Sequence, residues 1–393
     1  MGIIISILVL GFIITIHELG HFLVAKFFKV PVREFSIGMG PRIWSKVIKN
    51  TRYSLKALPF GGSCAMIGED AAGSGDFTVA EDVKIDENGL VDFDGVKFTQ
   101  EEINKNNFSV ISPIKKFFIC LAGPFMNFLL AFLFSFILIS RLGFDVPIIT
   151  SVSENSAAKE AKPVELMQGD EIIALEIPGE KEDIICYRDI AVFMQLNNDD
   201  IANNNLPLLV TFKRNGETLK TMVLPKYDEE YKKVIIGILL EDQHKRPENF
   251  VDVCKYAAKE FYFYIKTTVM SLRLLIRGKL GAKDVSGPVG TVAVMGSAIS
   301  EASTVSIETM LLTLVSLIVL ISANLGVMNL LPIPALDGGR IVFAAIEMII
   351  GKPINKDIEN FANAVTMILL LIFMMWIFGM DIYKLLTGNM FNY

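Results

Sequence analysis

Three stretches of this chain, Phe117–Ser140, Leu311–Leu331 and Phe361–Met380, contain no charged residue. A fourth, Gly2–Ala25, is apolar except for a cluster near its C-terminal end, His17-Glu18-Leu19-Gly20-His21. Each comes close to the roughly 20 residues that a helix needs to cross about 30 Å of hydrocarbon. Core helices of soluble domains rarely run so long without a charge, so the pattern predicts four membrane-spanning helices, within 1–28, 117–140, 311–334 and 361–383. The remainder of the 393 residues must be largely water-soluble, because the mean hydropathy is only +0.47. At 52% apolar residues the chain is no disordered segment, and a net charge of −6 gives no support to a nucleic-acid partner. Four scattered cysteines without CxxC spacing indicate neither a disulfide framework nor a cysteine zinc site.

The first apolar run does not read as a cleaved signal peptide. Its first basic residue is Lys26, and no A-x-A-like cleavage site precedes Phe22. Eight basic residues against one acid, Glu34, lie between Lys26 and Lys56. The positive-inside rule makes that flank cytoplasmic. The N-terminus, residues 141–310 and the C-terminus are then expected on the opposite side.

Three further segments have their own character. Residues 68–107 carry eleven acids and three lysines, with a hairpin signal at Asn88-Gly89 between Val83–Asp86 and Leu90–Phe93. They are expected to be a solvated cytosolic insert with no chemistry of its own. Residues 145–240 alternate short β-type runs (Ile148–Val152, Glu171–Leu175, Leu208–Phe212, Thr221–Leu224, Val234–Leu239) with turn signals. Helical patches are expected at Ala157–Lys162 and Arg188–Leu196. The segment resembles a PDZ domain, which implies a peptide ligand bound by strand addition; an unrelated small β-rich domain is the alternative. In residues 250–280, Lys255, Lys259, Lys266, Arg273 and Arg277 fall on one helical face. Phe261, Ile265, Val269, Leu272, Leu275 and Ile276 fall opposite. This predicts an amphipathic helix, lying in the membrane surface or packed on the β-rich module.

The chemistry is concentrated in the first run. His17 and His21 stand four residues apart, so a helix puts both imidazoles on one face, with Glu18 beside them. This is the H-E-x-x-H pattern, in which two histidines hold a zinc ion and the glutamate acts as general base. An acid and two imidazoles inside an apolar span are costly unless paired or functional. A catalytic zinc takes a third protein ligand. Asn329-Leu330-Leu331-Pro332-Ile333-Pro334-Ala335-Leu336-Asp337-Gly338 supplies a candidate in Asp337. Pro332 and Pro334 must break the third helix there, and the freed backbone groups must face protein or water rather than lipid.

Together these motifs resemble the site-2 protease family (peptidase family M50) of intramembrane zinc metalloproteases, and within it the RseP-like group with a single PDZ domain. The resemblance extends to Gly123-Pro124-Phe125-Met126-Asn127, Ser286-Gly287-Pro288-Val289-Gly290 and Tyr53–Gly62, and covers most of the chain except the acidic insert. It implies a polytopic α-helical membrane protein with an inserted α+β PDZ-like domain and, at 30–64, a membrane-reentrant β-hairpin. It implies one Zn²⁺ held by His17, His21 and Asp337, Glu18 as the base, and Asn329, Asn127, Pro332, Pro334 and Gly338 around the substrate and catalytic centre. The implied substrates are single-span membrane proteins, such as anti-sigma factors or signal-peptide remnants, cut in a bacterial cytoplasmic membrane. Two other readings share part of the pattern. A prenyl-protein-type membrane zinc peptidase would use a glutamate as third ligand, and an inactive PDZ scaffold would not need both Glu18 and Asp337.

Overall fold

A computed structural model describes residues 1–69, 83–85, 89–229, 232–240, 244–279 and 286–387. In chain order the elements are α1 (Gly2–Phe27), β1 (Val32–Val47), β2 (Arg52–Met66), β3 (Val83–Ile85), β4 (Leu90–Phe93), β5 (Val96–Thr99), α2 (Gln100–Asn106) and α3 (Pro113–Leu142). Then follow β6 (Glu171–Ile177), β7 (Glu180–Asp183), α4 (Tyr187–Leu196), α5 (Asn198–Asn204), β8 (Leu208–Arg214) and β9 (Glu217–Val223). The last helices are α6 (Phe250–Ile276), α7 (Pro288–Val305), α8 (Ile307–Asn329), α9 (Asp337–Ile350) and α10 (Lys356–Leu386). The four apolar runs are α1, α3, α8 and α10, each long and apolar enough to cross a membrane. The chain divides into two compact units, residues 1–134 with 264–393, and residues 135–263.

In the first unit α1 packs along α7, α8 and α3. Val9, Ile13, Leu130, Met295 and Ile318 form one apolar core, while Phe22, Ala25, Val32, Phe35, Cys64 and Ile119 form another beside the hairpin. α7 and α9 were not expected from the sequence. α7 starts where Asp381 of α10, 1% exposed, accepts the backbone N–H groups of Gly287 and Gly290. A carboxylate from another helix thus satisfies donors that the first turn leaves open. α10 itself is nearly bare, with only 11% of its apolar window buried by protein, as suits a helix surrounded by lipid.

The hairpin is more elaborate than two strands. β1 and β2 pair antiparallel, with Phe35 opposite Cys64 and Lys46 opposite Tyr53. In addition Glu34, Phe35, Ser36 and Ile37 lie beside Arg52, Tyr53, Ser54 and Leu55, both numbers rising together. The two strands therefore bend into four segments, in the order 62–66, 32–37, 52–56, 42–47 across the sheet. Gly38 and Gly40 take left-handed φ values of +84° and +86° at the bend, as the Gly-x-Gly-Pro turn requires. A Cβ on Gly38 would lie 2.5 Å from the Leu58 carbonyl oxygen.

Residues 83–107 do more than solvate. β3, β4 and β5 form an antiparallel sheet, Val91, Val96 and Phe98 are buried, and Thr99 with Glu102 makes a capping box on α2. Asp94 accepts Arg42 of the hairpin at 2.5 Å. The β3–β4 pairing agrees with the expected hairpin, although Asn88 of its turn lies outside the described residues, as do the acids Asp70, Asp76, Glu81, Asp82, Asp86 and Glu87.

The second unit holds a four-stranded sheet in the order β9-β8-β6-β7, with α4 and α5 and a core including Phe193, Phe212, Leu175 and Leu208. Arg214 grips the buried Asp170 through two hydrogen bonds of 2.7 and 2.8 Å. The expected helix at Ala157–Lys162 is instead a turn. Pro163 disfavours helical φ/ψ at Lys162, whose N–H and C=O pair with Met222 as in a sheet edge.

Residues 250–276 are helical as expected, and Leu280 at the expected end lies outside the described residues. The face packed on protein is not the apolar stripe. It contains Tyr256, Ala257, Glu260, Phe263, Tyr264 and Leu274, while Val269, Leu275 and Ile276 are exposed. Within the second unit Tyr256 stacks on Phe144, and Arg188 pairs with Glu260; within the first, the Tyr264 hydroxyl meets Ser316.

Candidate metal centre

His17 and His21 lie on the same face of α1, one turn apart, and are 6% and 8% exposed. Their Nε2 atoms are 3.2 Å apart. The Asp337 Oδ2 atom sits 3.0 Å from His17 Nε2 and 3.4 Å from His21 Nε2. A tetrahedral zinc with bonds of about 2.0–2.1 Å spaces its ligand atoms about 3.3–3.4 Å apart. Three donors at 3.0, 3.2 and 3.4 Å make one face of such a tetrahedron, leaving the fourth corner open. Among the described residues this is the one group of three or more histidine, cysteine or acidic side chains close enough to hold an ion.

The atoms behind the imidazoles fit the same assignment. His21 Nδ1–H donates to the Ile119 carbonyl at 2.8 Å, which leaves the Nε2 lone pair facing the cluster. His17 Nδ1 lies 3.0 Å from the Asn127 amide nitrogen, while Asn127 Oδ1 is buried without a partner. Which amide atom is oxygen is assigned from the surrounding network. If Nε2 of His17 holds a metal, Nδ1 carries a proton and needs an acceptor. Turning the Asn127 amide over supplies it and gives the buried Oδ1 a donor.

Glycines let the backbones come this close. A Cβ on Gly123 would stand 2.3 Å from His21 Nε2 and 2.7 Å from His17 Cε1. A Cβ on Gly20 would lie 2.3 Å from the Ala122 carbonyl oxygen, so α1 and α3 touch backbone to backbone at the site. Gly338 has the Leu331 carbonyl oxygen where its Cβ would be, at 2.1 Å. That contact folds the Pro332–Pro334 break back onto the start of α9, where Asp337 is the first residue. Ala335 bridges the break in a left-handed conformation, φ +74°, and its N–H donates to Asn363 Oδ1 of α10 at 3.1 Å.

Glu18 is partly buried, with the Cys64 N–H of β2 hydrogen-bonded to it and Gly62 alongside. The edge of the hairpin sheet therefore runs past the glutamate. Asn329, the last residue of α8, has its amide nitrogen 3.4 Å from His17 Nε2. The structure thus brings His17, Glu18, His21, Asn127, Asn329, Asp337 and Gly338 together, with Pro332 and Pro334 in the adjoining break. Gly123, Ile119 and Asn363 were not singled out from the sequence; of these only Gly123 carried a signal, as part of the Gly-Pro-Phe-Met-Asn motif.

The sequence matches Peptidase family M50 over residues 5–373. The chain belongs to that family. A candidate zinc metalloprotease of Clostridium acetobutylicum is 33% identical over 373 residues, covering 95% of each chain. Zinc metalloprotease RasP of Geobacillus kaustophilus is 30% identical over 433 residues, covering 96% of this chain and 97% of its own. The regulator of sigma-W protease RasP of Bacillus subtilis is 28% identical, with the same coverage. This M50 chain is a membrane metalloprotease, and zinc is its cofactor.

Proposed function

We propose that the protein is an intramembrane endopeptidase that cuts membrane-anchored proteins within or near their transmembrane segments, with His17, His21 and Asp337 as zinc ligands and Glu18 as general base. The observation that carries this is the spacing of the three donor atoms, on a helix apolar enough to span a membrane, with Glu18 beside them. Bound zinc would supply a Lewis acid for the scissile carbonyl and acidify water near neutral pH. Glu18 takes a proton from the attacking water at its carboxylate and passes it to the leaving nitrogen. The Nδ1–H groups of His17 and His21 are committed to Asn127 and Ile119, which leaves both Nε2 atoms for the metal. Asn329, whose amide nitrogen lies 3.4 Å from His17 Nε2, is the proposed donor to a bound substrate.

A helical substrate hides its peptide bonds and must become extended before attack. Segment 62–66 lies at the edge of the hairpin sheet and passes Glu18, so an unwound substrate pairing there would carry its peptide groups to the base. In the proposed topology this flank faces the cytoplasm, and the β-rich unit, read as a single PDZ-like domain, lies on the other side with both termini. Substrates of the anti-sigma or signal-peptide-remnant type fit this arrangement. The name of the Bacillus subtilis relative, a regulator of sigma-W, supports the former.

The test compares wild type and Glu18→Gln on a single-span substrate, with zinc measured in both. Retained zinc with cleavage reduced by at least about 10³-fold is expected, a loss in the upper range for a missing general base. Equal cleavage by the two proteins refutes the assignment.

A further inference from the structure

A cavity of about 640 Å³ lies behind the Asp337 loop, lined among others by Glu69, Phe108, Lys116, Arg340, Glu347 and Asn363. One ion pair on its wall has no part in the chemistry above. Arg340 Nη1 donates to Glu69 Oε1, and the two side chains are 9% and 3% exposed. The guanidinium carbon also lies 5.7 Å from the centre of the Phe108 ring.

The two residues belong to different parts of the centre. Arg340 is three residues beyond Asp337, one turn along α9 and on the same side. Glu69 follows β2 by three residues, and its other oxygen, Oε2, accepts the N–H of Met66, the last residue of that strand, at 3.4 Å. One carboxylate therefore joins the end of the strand that passes Glu18 to the helix that begins with Asp337. Two charges buried this deeply add little net stability over apolar side chains of similar size. Their placement is better accounted for by position than by stability.

We propose that Arg340 and Glu69 are positioning residues for the hydrolytic centre. The pair holds the first turn of α9, and with it the Asp337 carboxylate, at a fixed offset from strand β2, so that the third ligand and the substrate edge keep one register. The proposal rests on reading His17, His21 and Asp337 as the metal site.

The test uses full-length protein in detergent. Zinc affinity is measured by chelator competition, the absorption spectrum of the cobalt-substituted protein is recorded, and kcat and KM are determined on a single-span substrate. The variants are Glu69→Gln, the double variant Glu69→Met/Arg340→Leu, and Asp337→Asn. Loss of a direct outer partner of a metal ligand typically costs about 10–100-fold in metal affinity, and this pair, which acts on Asp337 through the first turn of α9, falls at the lower end. Glu69→Gln should bind zinc at least about 10-fold more weakly, with an altered cobalt spectrum and a raised KM. The apolar double variant leaves no unpaired charge and should fold with a Tm near wild type, yet show the same loss of zinc affinity and the same spectral change. A merely structural pair would move Tm and leave the cobalt spectrum alone. Wild-type zinc affinity and spectrum in the folded double variant, with Asp337→Asn impaired, overturn the positioning role only. Wild-type zinc affinity in Asp337→Asn overturns the metal-site reading and this proposal with it.

Discussion

Gly123→Ala is the sharpest single-atom test of the metal centre. The added Cβ would lie 2.3 Å from His21 Nε2, 2.6 Å from His21 Cε1 and 2.7 Å from His17 Cε1. Ordinary contact begins at 3.4 Å, so the nearest atom must retreat by 1.1 Å. Neither partner can yield freely, because α1 and α3 are already in backbone contact at Gly20, and His21 Nδ1 is tied to the Ile119 carbonyl. Metal–ligand distances tolerate only about ±0.2 Å, so a shift of this size breaks the ligand triangle. A loss of zinc affinity of about 100-fold or more is expected, at the upper end of what outer-shell changes cause. Within α3 itself alanine is a better helix former than glycine by about 1 kcal/mol, so the helix is not weakened. Gly379→Ala is the control: it is also helical, has nothing within 4 Å of its Cβ position, and should bind zinc as wild type does. The assay is chelator competition on purified protein, with cleavage of a single-span substrate in parallel. Wild-type zinc affinity in Gly123→Ala would mean that the imidazoles do not converge as described.

Two further outcomes follow from single contacts. Asn127→Leu removes the acceptor for His17 Nδ1–H and should weaken zinc binding about 10–100-fold, whereas Asn127→Asp keeps an acceptor and should recover most of it; equal losses in both variants would contradict the proposed amide orientation. Glu34 is 1% exposed, and burial pushes its carboxyl up, but hydrogen bonds from Arg42 and Ser54 and the Arg42 charge outweigh this and hold it below its ordinary value of 4.5. A depressed folded-state pKa contributes stability that is complete above 4.5 and is lost as pH falls through the folded value. Amide-exchange protection of residues 34–54 should therefore be flat from about pH 8 to 5 and fall in more acidic solution, and Arg42→Gln should lower protection at neutral pH and flatten the acid limb; an unchanged profile would remove Glu34 as its cause.

How much of this was legible in the sequence depends on where the signal was stored. The four spans were readable because lipid demands long uncharged runs, and their helices follow the runs within a few residues. His17 and His21 were readable because an interval of four closes one helical turn. α9 was not: its N-cap is Leu336, without a capping side chain, and the Pro332–Pro334 break reads as an ending rather than a beginning. α7 was hidden for a related reason, since the carboxylate that caps it, Asp381, lies more than ninety residues further on. The hairpin reads as two strands, because periodicity does not show that Gly38 and Gly40 bend β1 so that its first half lies beside both halves of β2.

The same division runs through the site. Periodicity marks ligands, because a side chain that is present repeats along a face. The convergence of His17, His21 and Asp337 depends equally on side chains that are absent, at Gly20, Gly123 and Gly338, where a Cβ would meet a backbone or an imidazole at 2.1–2.3 Å. An absent atom has no periodicity and no hydropathy, and a glycine in an apolar span looks like a weak point in a helix rather than the place where two helices meet. In this chain each of those glycines stands in α1, in α3 or directly after Asp337 in α9. The three proposed ligands come from two of these elements and the groups behind the imidazoles from the third. The small residues are therefore part of the proposed metal centre in the same sense as its donors: they set the distances at which those donors can close on one ion.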